Sequence, residues 1–340
     1  MRIGVLTGGG DCPGLNAALR AVVMASDARG WDVVGFADGW RGPMDADARP
    51  LGIDDVADVL DRGGTILGSS RTNPVGVDGG LERVGAGLAA HGCDALVAIG
   101  GEDTLGVANT LARTGVSVVG IPKTIDDDLG ATDVTIGHST AVGIATEAVD
   151  RVRTTAQSHL RPVVVEVMGR HAGWLALRSA IAGGAQAALI PERPFDLDEV
   201  QDRVAASLAR RRAPVVVVAE GALPAGGAET VSSGETDAFG HIRLGGVGEW
   251  LAARLDERND ADVRAVVLGH VQRGGPPSAF DRELGTRLGL AAVDAVAQGS
   301  WGSMAALRGE QVELVALADA VRELKLVPAQ QYDAIAPLLR

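Results

Sequence analysis

Cysteine is scarce. The 340-residue chain holds two, Cys12 and Cys93. Neither lies in a CxxC or Cys/His pattern, which argues against a disulfide framework and a zinc site and fits a reducing compartment. Long apolar runs are missing as well. No stretch of about eighteen apolar residues occurs, so no membrane-spanning helix is expected. The short run at the start reaches Gly8-Gly9-Gly10-Asp11 too early for a secretory leader, and the expected location is cytoplasmic. Positive charge is in deficit, with 31 Lys and Arg against 44 Asp and Glu, a net charge of −13. That balance does not suit a nucleic-acid partner, and an anionic ligand would have to be met by basic residues gathered locally. Short internal repeats and low-complexity tails are absent too.

What is present is ordinary globular material, 46% hydrophobic and 22% charged, in a chain long enough for two domains with separate cores. Strand-like and helix-like stretches alternate. Strands are predicted over 2–6, 33–36, 95–99, 116–121, 162–167, 187–190, 214–219 and 263–268. Helices are predicted over 15–29, 53–60, 81–91, 141–155, 172–182, 198–211, 247–259 and 283–298, with Gly30 and Gly92 as stops. Residues 223–244, rich in small residues, read as a long loop or hairpin. This order implies an α/β protein with mainly parallel sheets covered by helices.

Two of the apolar runs end in chemistry. The run 95–99 opens into Gly100-Gly101-Glu102-Asp103-Thr104, and the run 116–121 opens into Pro122-Lys123-Thr124-Ile125-Asp126-Asp127-Asp128. If the two strands are neighbours, carboxylates, a lysine and glycines meet in one crevice at their C-terminal ends, where open α/β sheets bind ligands. Mg²⁺ needs only one or two such carboxylates plus phosphate oxygens, and another carboxylate would accept a proton from an attacking hydroxyl. The plainer alternatives are that Glu102 and Asp103 cap a helix beginning near Thr104, and that residues 126–128 form a solvated turn. Gly8-Gly9-Gly10-Asp11-Cys12-Pro13-Gly14-Leu15-Asn16 joins the first strand to the first helix. Its glycines would bring backbone N–H groups close to a phosphate at a helix N-terminus. It matches neither a Walker A loop nor GxGxxG, and a tight turn capped by Asp11 is the alternative.

Basic residues gather at other strand ends. Arg161 precedes a strand that ends in Glu166-Val167-Met168-Gly169-Arg170-His171. Arg264 precedes a strand that ends in His270-Val271-Gln272-Arg273-Gly274-Gly275. Arginine makes bidentate bonds to phosphate; surface salt bridging is the alternative. His171 and His270 read equally well as packed, hydrogen-bonded histidines.

Taken together, Gly8–Asn16, Gly39-Trp40-Arg41-Gly42, residues 63–71, Gly100–Thr104, Pro122–Asp128, Glu166–His171 and residues 268–275 resemble the phosphofructokinase family, in the family order and across most of residues 1–290. The resemblance implies two Rossmann-like α/β domains with the active site in the cleft between them. It places residues 1–137 plus 272–322 in a phosphoryl-donor and Mg²⁺ domain and residues 138–271 plus 323–340 in a fructose 6-phosphate domain. It implies transfer of phosphate to the 1-hydroxyl of fructose 6-phosphate. Asp126 is then the general base, and Thr124 and Arg170 stabilise the transferring phosphoryl group. Glu102 holds Mg²⁺ where the family usually has Asp, and Gly10 and Arg71 contact the donor. Met168, Gly169, Glu220, His270 and Arg273 hold the sugar phosphate. Arg161 and Arg264 would reach the 6-phosphate of a neighbouring subunit, which implies a homodimer or homotetramer.

The donor turns on two positions. ATP-using members similar to this chain carry glycine after the Mg²⁺ carboxylate, where this chain has Asp103, and many carry glycine where this chain has Lys123. A carboxylate at 103 would fill the space of a nucleotide α-phosphate and repel it. Two unit charges ~4 Å apart interact by about 4 kcal/mol at an effective dielectric of about 20, about a thousandfold in affinity. Lys123 would neutralise pyrophosphate directly. The expected activity is therefore reversible pyrophosphate:fructose 6-phosphate phosphotransfer. The alternatives are an ATP-dependent enzyme, which Trp40 at an adenine-stacking position favours, and a non-catalytic sugar-phosphate-binding subunit. Asp127 replaces the family Asn, where it would raise the Asp126 pKa by repulsion or face solvent. Arg20 and Arg153 match effector-binding arginines, but Met24 and Gln186 stand where Arg and Glu are expected, so effector control is expected to be weak.

Overall fold

The computed structural model describes residues 1–226, 232–236, 242–244, 246–258 and 261–339. In chain order its strands are β1 (Arg2–Thr7), β2 (Asp32–Phe36), β3 (Ala48–Leu51), β4 (Ala95–Gly100), β5 (Val118–Pro122), β6 (Val163–Val167), β7 (Ala187–Leu189), β8 (Val215–Ala219), β9 (Ser232–Thr236), β10 (Ile242–Leu244), β11 (Arg264–Val267), β12 (Ser303–Arg308) and β13 (Gln311–Ala316). A seven-stranded sheet runs β13-β12-β5-β4-β1-β2-β3, and a four-stranded sheet runs β11-β6-β8-β7. The second sheet is parallel throughout, and only the edge strands β3 and β13 of the first run antiparallel. The protein is thus α/β with two mainly parallel sheets.

Sequence dictates this directly in the central strands. Ala-Leu-Val-Ala-Ile-Gly in β4 and Val-Val-Val-Val-Ala in β8 have no polar alternation, and every residue of both is buried, as expected where helices cover both faces of a parallel sheet. The long helix His138–His159 carries the chain from the first sheet to the second. The short turn Gly269–Arg273 and the helix Ala279–Gln298 bring it back. Asp281 on that returning helix is buried and accepts hydrogen bonds from the backbone N–H groups of Gly137 and Thr140, at 2.9 and 2.7 Å, so it caps the start of the outgoing helix. The two crossings are locked together where the sheets meet.

The helix expected over 53–60 ends at Val56, because residues 59–62 close a turn (Arg62 N to Val59 O, 3.1 Å) that delivers Gly63 and Gly64. Strands β3, β12 and β13 were not legible. β3 contains Pro50, tolerated only because it lies on an edge, and β13 is a mostly exposed edge strand with little apolar pattern. β9 and β10 pair as an antiparallel hairpin within the 223–244 stretch, whose residues 227–231 and 237–241 lie outside the described ones. The end of the 247–259 helix is drawn at Asp256. No described helix is long and apolar enough to cross a membrane.

Candidate active site

β1, β4 and β5 are neighbours, and so are β6 and β8, so the C-terminal ends of all five open toward one crevice between the sheets. Its cavity, about 130 Å³, is lined by Gly9, Gly10, Arg71 and residues 101–104 on one side, Lys123, Thr124, Asp126 and Asp128 along the floor, and Met168, Arg170, His171, Glu220 and Arg273 opposite. A larger open groove lined by Gly9, Gly10, residues 62–65 and 68–71 continues from it.

The first wall is built of helix ends and glycines. Glu102 and Asp103 are the first two residues of the helix Glu102–Arg113, whose N-cap is Gly101 with no side-chain cap. They therefore gain from the helix dipole while lining the crevice rather than serving as caps. The helix Leu15–Asp27 starts from Gly14 with φ +111° and likewise no side-chain cap, so Asp11 does not play that role. A Cβ at Gly10 would stand 2.6 Å from Arg273 Nη1, so a side chain there would displace the guanidinium. Arg273 uses that space to donate to the Asp11 carbonyl at 3.2 Å. Lys123 is 2% exposed, and its ammonium donates to the Gly10 carbonyl at 2.6 Å. Burial pulls its pKa below the usual lysine value, so a nearby anion would favour its charged form.

On the floor, Asp126 accepts the backbone N–H of Arg170, while its Oδ1 is buried without a hydrogen-bond partner among the described residues. Burial pushes the Asp126 carboxyl above its usual range, and the charges of Arg273, Arg170 and His171 pull it part of the way back. Burial, and then the charge of Asp126, push Asp128 up to about 7, with Glu102 adding to the effect. Burial and Asp126 likewise push Glu220 up to about 7. An orphaned carboxylate oxygen at raised basicity, flanked by guanidiniums, is suited to accept a proton beside an anionic substrate.

Opposite, Gly169 adopts φ +129°, and a Cβ there would sit 2.8 Å from the Ala172 carbonyl. This turn presents Met168 and Arg170 to the crevice. Gly169 itself contributes backbone only, its carbonyl accepting from Gly221 N at 3.1 Å. Met168 N donates to the buried Gln272 at 3.3 Å, tying this turn to the one that bears Arg273.

Four of the sequence-predicted residues do not line the crevice, Gly169 because it is buried behind the turn it forms, and three because they lie at the outer edge. Arg161 and Arg264 are exposed and both pair with Asp262, at 3.3 and 2.6 Å, beside the outer edge of the second sheet. His270 is exposed in the turn following that edge. Three expectations are corrected. Trp40 is 1% exposed and packed in the core, so its ring is not available to stack on adenine. Asp127 is fully buried rather than solvent-facing, and its charge is met by Arg178 and Lys325. Arg264 begins β11 instead of preceding it. Sequence reasoning missed Gly9, Gly101, Thr104, Asp128 and His171 as lining residues. All five adjoin residues it did single out, but spacing alone does not tell which residues face the crevice. At the position of the expected effector site, the Gln186 side chain is spent on backbone, donating to Gly184 O and accepting from Val215 N, and the Arg153 guanidinium donates to Gly183 O.

Comparison with known proteins agrees with this geometry. The phosphofructokinase family model matches residues 2–296. The chain is 62% identical over 334 residues to a pyrophosphate–fructose 6-phosphate 1-phosphotransferase of Amycolatopsis methanolica, covering 98% of each chain. It is 52% identical to an ATP-dependent 6-phosphofructokinase of Streptomyces coelicolor, again over 98% of both. Among solved structures, phosphofructokinase from Pichia pastoris superposes with a TM-score of 0.84 at 32% identity, over 99% of this chain and 36% of that longer one. The chain belongs to the phosphofructokinase family.

Proposed function

We propose that this protein transfers a phosphoryl group from pyrophosphate to the 1-hydroxyl of fructose 6-phosphate, giving fructose 1,6-bisphosphate and phosphate. The observation that carries the donor assignment is that Asp103 and Lys123 line the same crevice. Asp103 occupies ground an α-phosphate would need, and Lys123 is already inside, bonded to the Gly10 carbonyl where the donor phosphates would lie. The burial of Trp40 removes the feature that favoured a nucleotide.

Asp126 takes the proton of the sugar 1-hydroxyl as that oxygen attacks the near phosphorus. The bond to the bridging oxygen breaks, and phosphate leaves. Thr124 and Arg170 hold the transferring group, and Lys123, Gly10 and Arg71 hold the departing phosphate, so the protein supplies mainly position and charge. Met168, Glu220 and Arg273 hold the sugar phosphate from within the crevice, on the turn that Gly169 shapes, and the exposed His270 would meet its outer end beside Arg161 and Arg264. The crevice fits Mg²⁺: Glu102 and Asp128 are hard oxygen donors, and a divalent cation would offset both the burial of Asp128 and its repulsion by Asp126 and Glu102. When bound, Mg²⁺ would neutralise pyrophosphate oxygens. The domains divide as 1–137 plus 272–322 and 138–271 plus 323–340.

The protein acts as a homodimer or homotetramer in which Arg161 and Arg264 complete the neighbouring subunit's sugar-phosphate site. β11 is an edge strand with Val267 48% exposed and Val271 beyond it 63% exposed, an edge suited to cover by a second copy. Asp103→Gly tests the donor assignment. It is expected to open ATP use while lowering kcat/KM with pyrophosphate; ATP use that stays absent while pyrophosphate use is unchanged would remove Asp103 as the gate.

A further inference from the structure

Asp127 does not line the crevice. It sits at φ +55° with its carboxylate fully buried on the far side of the loop from Asp126. Its Oδ1 accepts from Thr135 N at 3.0 Å and from Lys325 Nζ at 2.8 Å, and its Oδ2 lies 3.2 Å from Arg178 Nη1. Arg178 comes from the helix Trp174–Gly183, which packs on the second sheet, and Lys325 from the C-terminal segment. Trp174 binds the two cations to each other. Its ring lies 5.0 Å from the Arg178 guanidinium and 6.0 Å from the Lys325 ammonium, and its Nε1 donates to the Lys325 carbonyl at 2.7 Å.

The neighbouring peptides are held from the same side. Thr135 Oγ1 donates to Thr124 O at 2.6 Å, His138 Nδ1 bonds Ile125 O at 2.7 Å, and Lys325 N donates to Asp128 O at 2.8 Å. Residues 124, 125, 127 and 128 are thus held from behind, while Thr124, Asp126 and Asp128 line the crevice. A left-handed φ suits Asn or Asp among non-glycine residues, but only the carboxylate can hold two cations.

We propose that Asp127, clamped by Arg178 and Lys325, is a positioning residue that fixes the Asp126 loop in its reactive geometry by anchoring it to the helix Trp174–Gly183 and the C-terminal segment. This rests on Asp126 being the base. Removing the Asp127 charge would break the ion pairs of both Arg178 and Lys325, leaving Lys325 only the Asp133 charge and the Thr132 and Asp133 carbonyls, and the loop would shift away from the two cations.

The test is steady-state kinetics of the full-length chain with fructose 6-phosphate, pyrophosphate and Mg²⁺, normalised to folded enzyme by calorimetric titration with fructose 6-phosphate. Misplacing a reacting group by about 1 Å costs about a hundredfold in rate. Asp127→Asn is expected to lower kcat by about that factor, with both KM values within about threefold of the unaltered protein. Lys325→Met is expected to lower kcat by about tenfold, and Lys325→Arg to restore it to within about threefold. A purely structural role would lower Tm and leave kcat per folded site unchanged. That result in Asp127→Asn, or in Lys325→Met should the first variant not fold, overturns the proposal. Asp126→Ala is measured alongside: turnover surviving there would overturn the base assignment, whatever the Asp127 result.

Discussion

In the crevice, charged groups answer to one another within a single chain. Arg273 and Arg170 act on Asp126, and Lys123 reaches the Gly10 carbonyl. At the outer edge of the second sheet the pattern differs. Two exposed arginines, Arg161 and Arg264, share one acid, Asp262, next to the exposed Val267 and Val271. Exposed ion pairs of that kind contribute little, about 0–1 kcal/mol, so these arginines can leave Asp262 for a phosphate at small cost. Under the function proposed above, one chain builds the donor and base half of the site and much of the sugar half, and the two edge arginines of a second copy would complete the grip on the sugar phosphate.

The largest expected effect lies inside the crevice. Asp126→Ala should lower kcat by about a thousandfold while calorimetry still detects fructose 6-phosphate binding; a loss smaller than about tenfold would break the inner half of the comparison. At the edge, Arg161→Ala or Arg264→Ala should raise the KM for fructose 6-phosphate by about ten- to a hundredfold, the worth of a charged hydrogen bond, with kcat changed less. Mixing Asp126→Ala chains with Arg161→Ala chains sharpens the point. At fructose 6-phosphate well below the KM of Arg161→Ala, hybrid assemblies should be more active than either parent, because one site then receives an intact base from one chain and an intact arginine from the other. Absence of recovery in demonstrably mixed assemblies would assign both residues to the same chain's site.

A third expectation concerns stability behind the base loop. His138 is 1% exposed, and burial pushes its pKa down to about 4, with Asp127 opposing and Arg178 and Lys325 adding to the shift. The unfolded chain therefore binds this proton more readily than the folded one. Its contribution is complete above about pH 6.5 and is lost as pH falls toward 4, about 3 kcal/mol in all. His138→Gln should flatten that part of the denaturation profile measured between pH 7 and 4; an unchanged profile would show that acid lability arises elsewhere. The smallest effect is at the altered effector position. With Gln186 and Arg153 committed to backbone carbonyls and an amide, sub-millimolar nucleoside diphosphate or phosphoenolpyruvate should leave the rate within about twofold.

The crevice was legible because its strands are unbroken apolar runs and its chemistry begins at their last residue, so Gly100–Thr104 and Pro122–Asp128 announce both element and site. Their being neighbours, β4 beside β5, follows from order in an α/β chain. What stayed hidden depended on contacts distant in sequence. Nothing near Asp127 signals that Lys325, almost two hundred residues on, will neutralise it, nor that Trp40 will point into the core. β12 and β13 were invisible because the buried apolar run of Ser303–Arg308 is only four residues long, two of them alanine, and Gln311–Ala316 is an exposed edge; β12 is a strand through its pairing with β5 and β13, and β13 through its pairing with β12.

The phosphoryl donor separates a pyrophosphate enzyme from a nucleotide kinase. Initial rates with fructose 6-phosphate and Mg²⁺, at saturating pyrophosphate or saturating ATP, decide it. Fructose 1,6-bisphosphate formed with pyrophosphate and not with ATP is the predicted result. Formation with ATP alone would contradict the reading of Asp103 and Lys123.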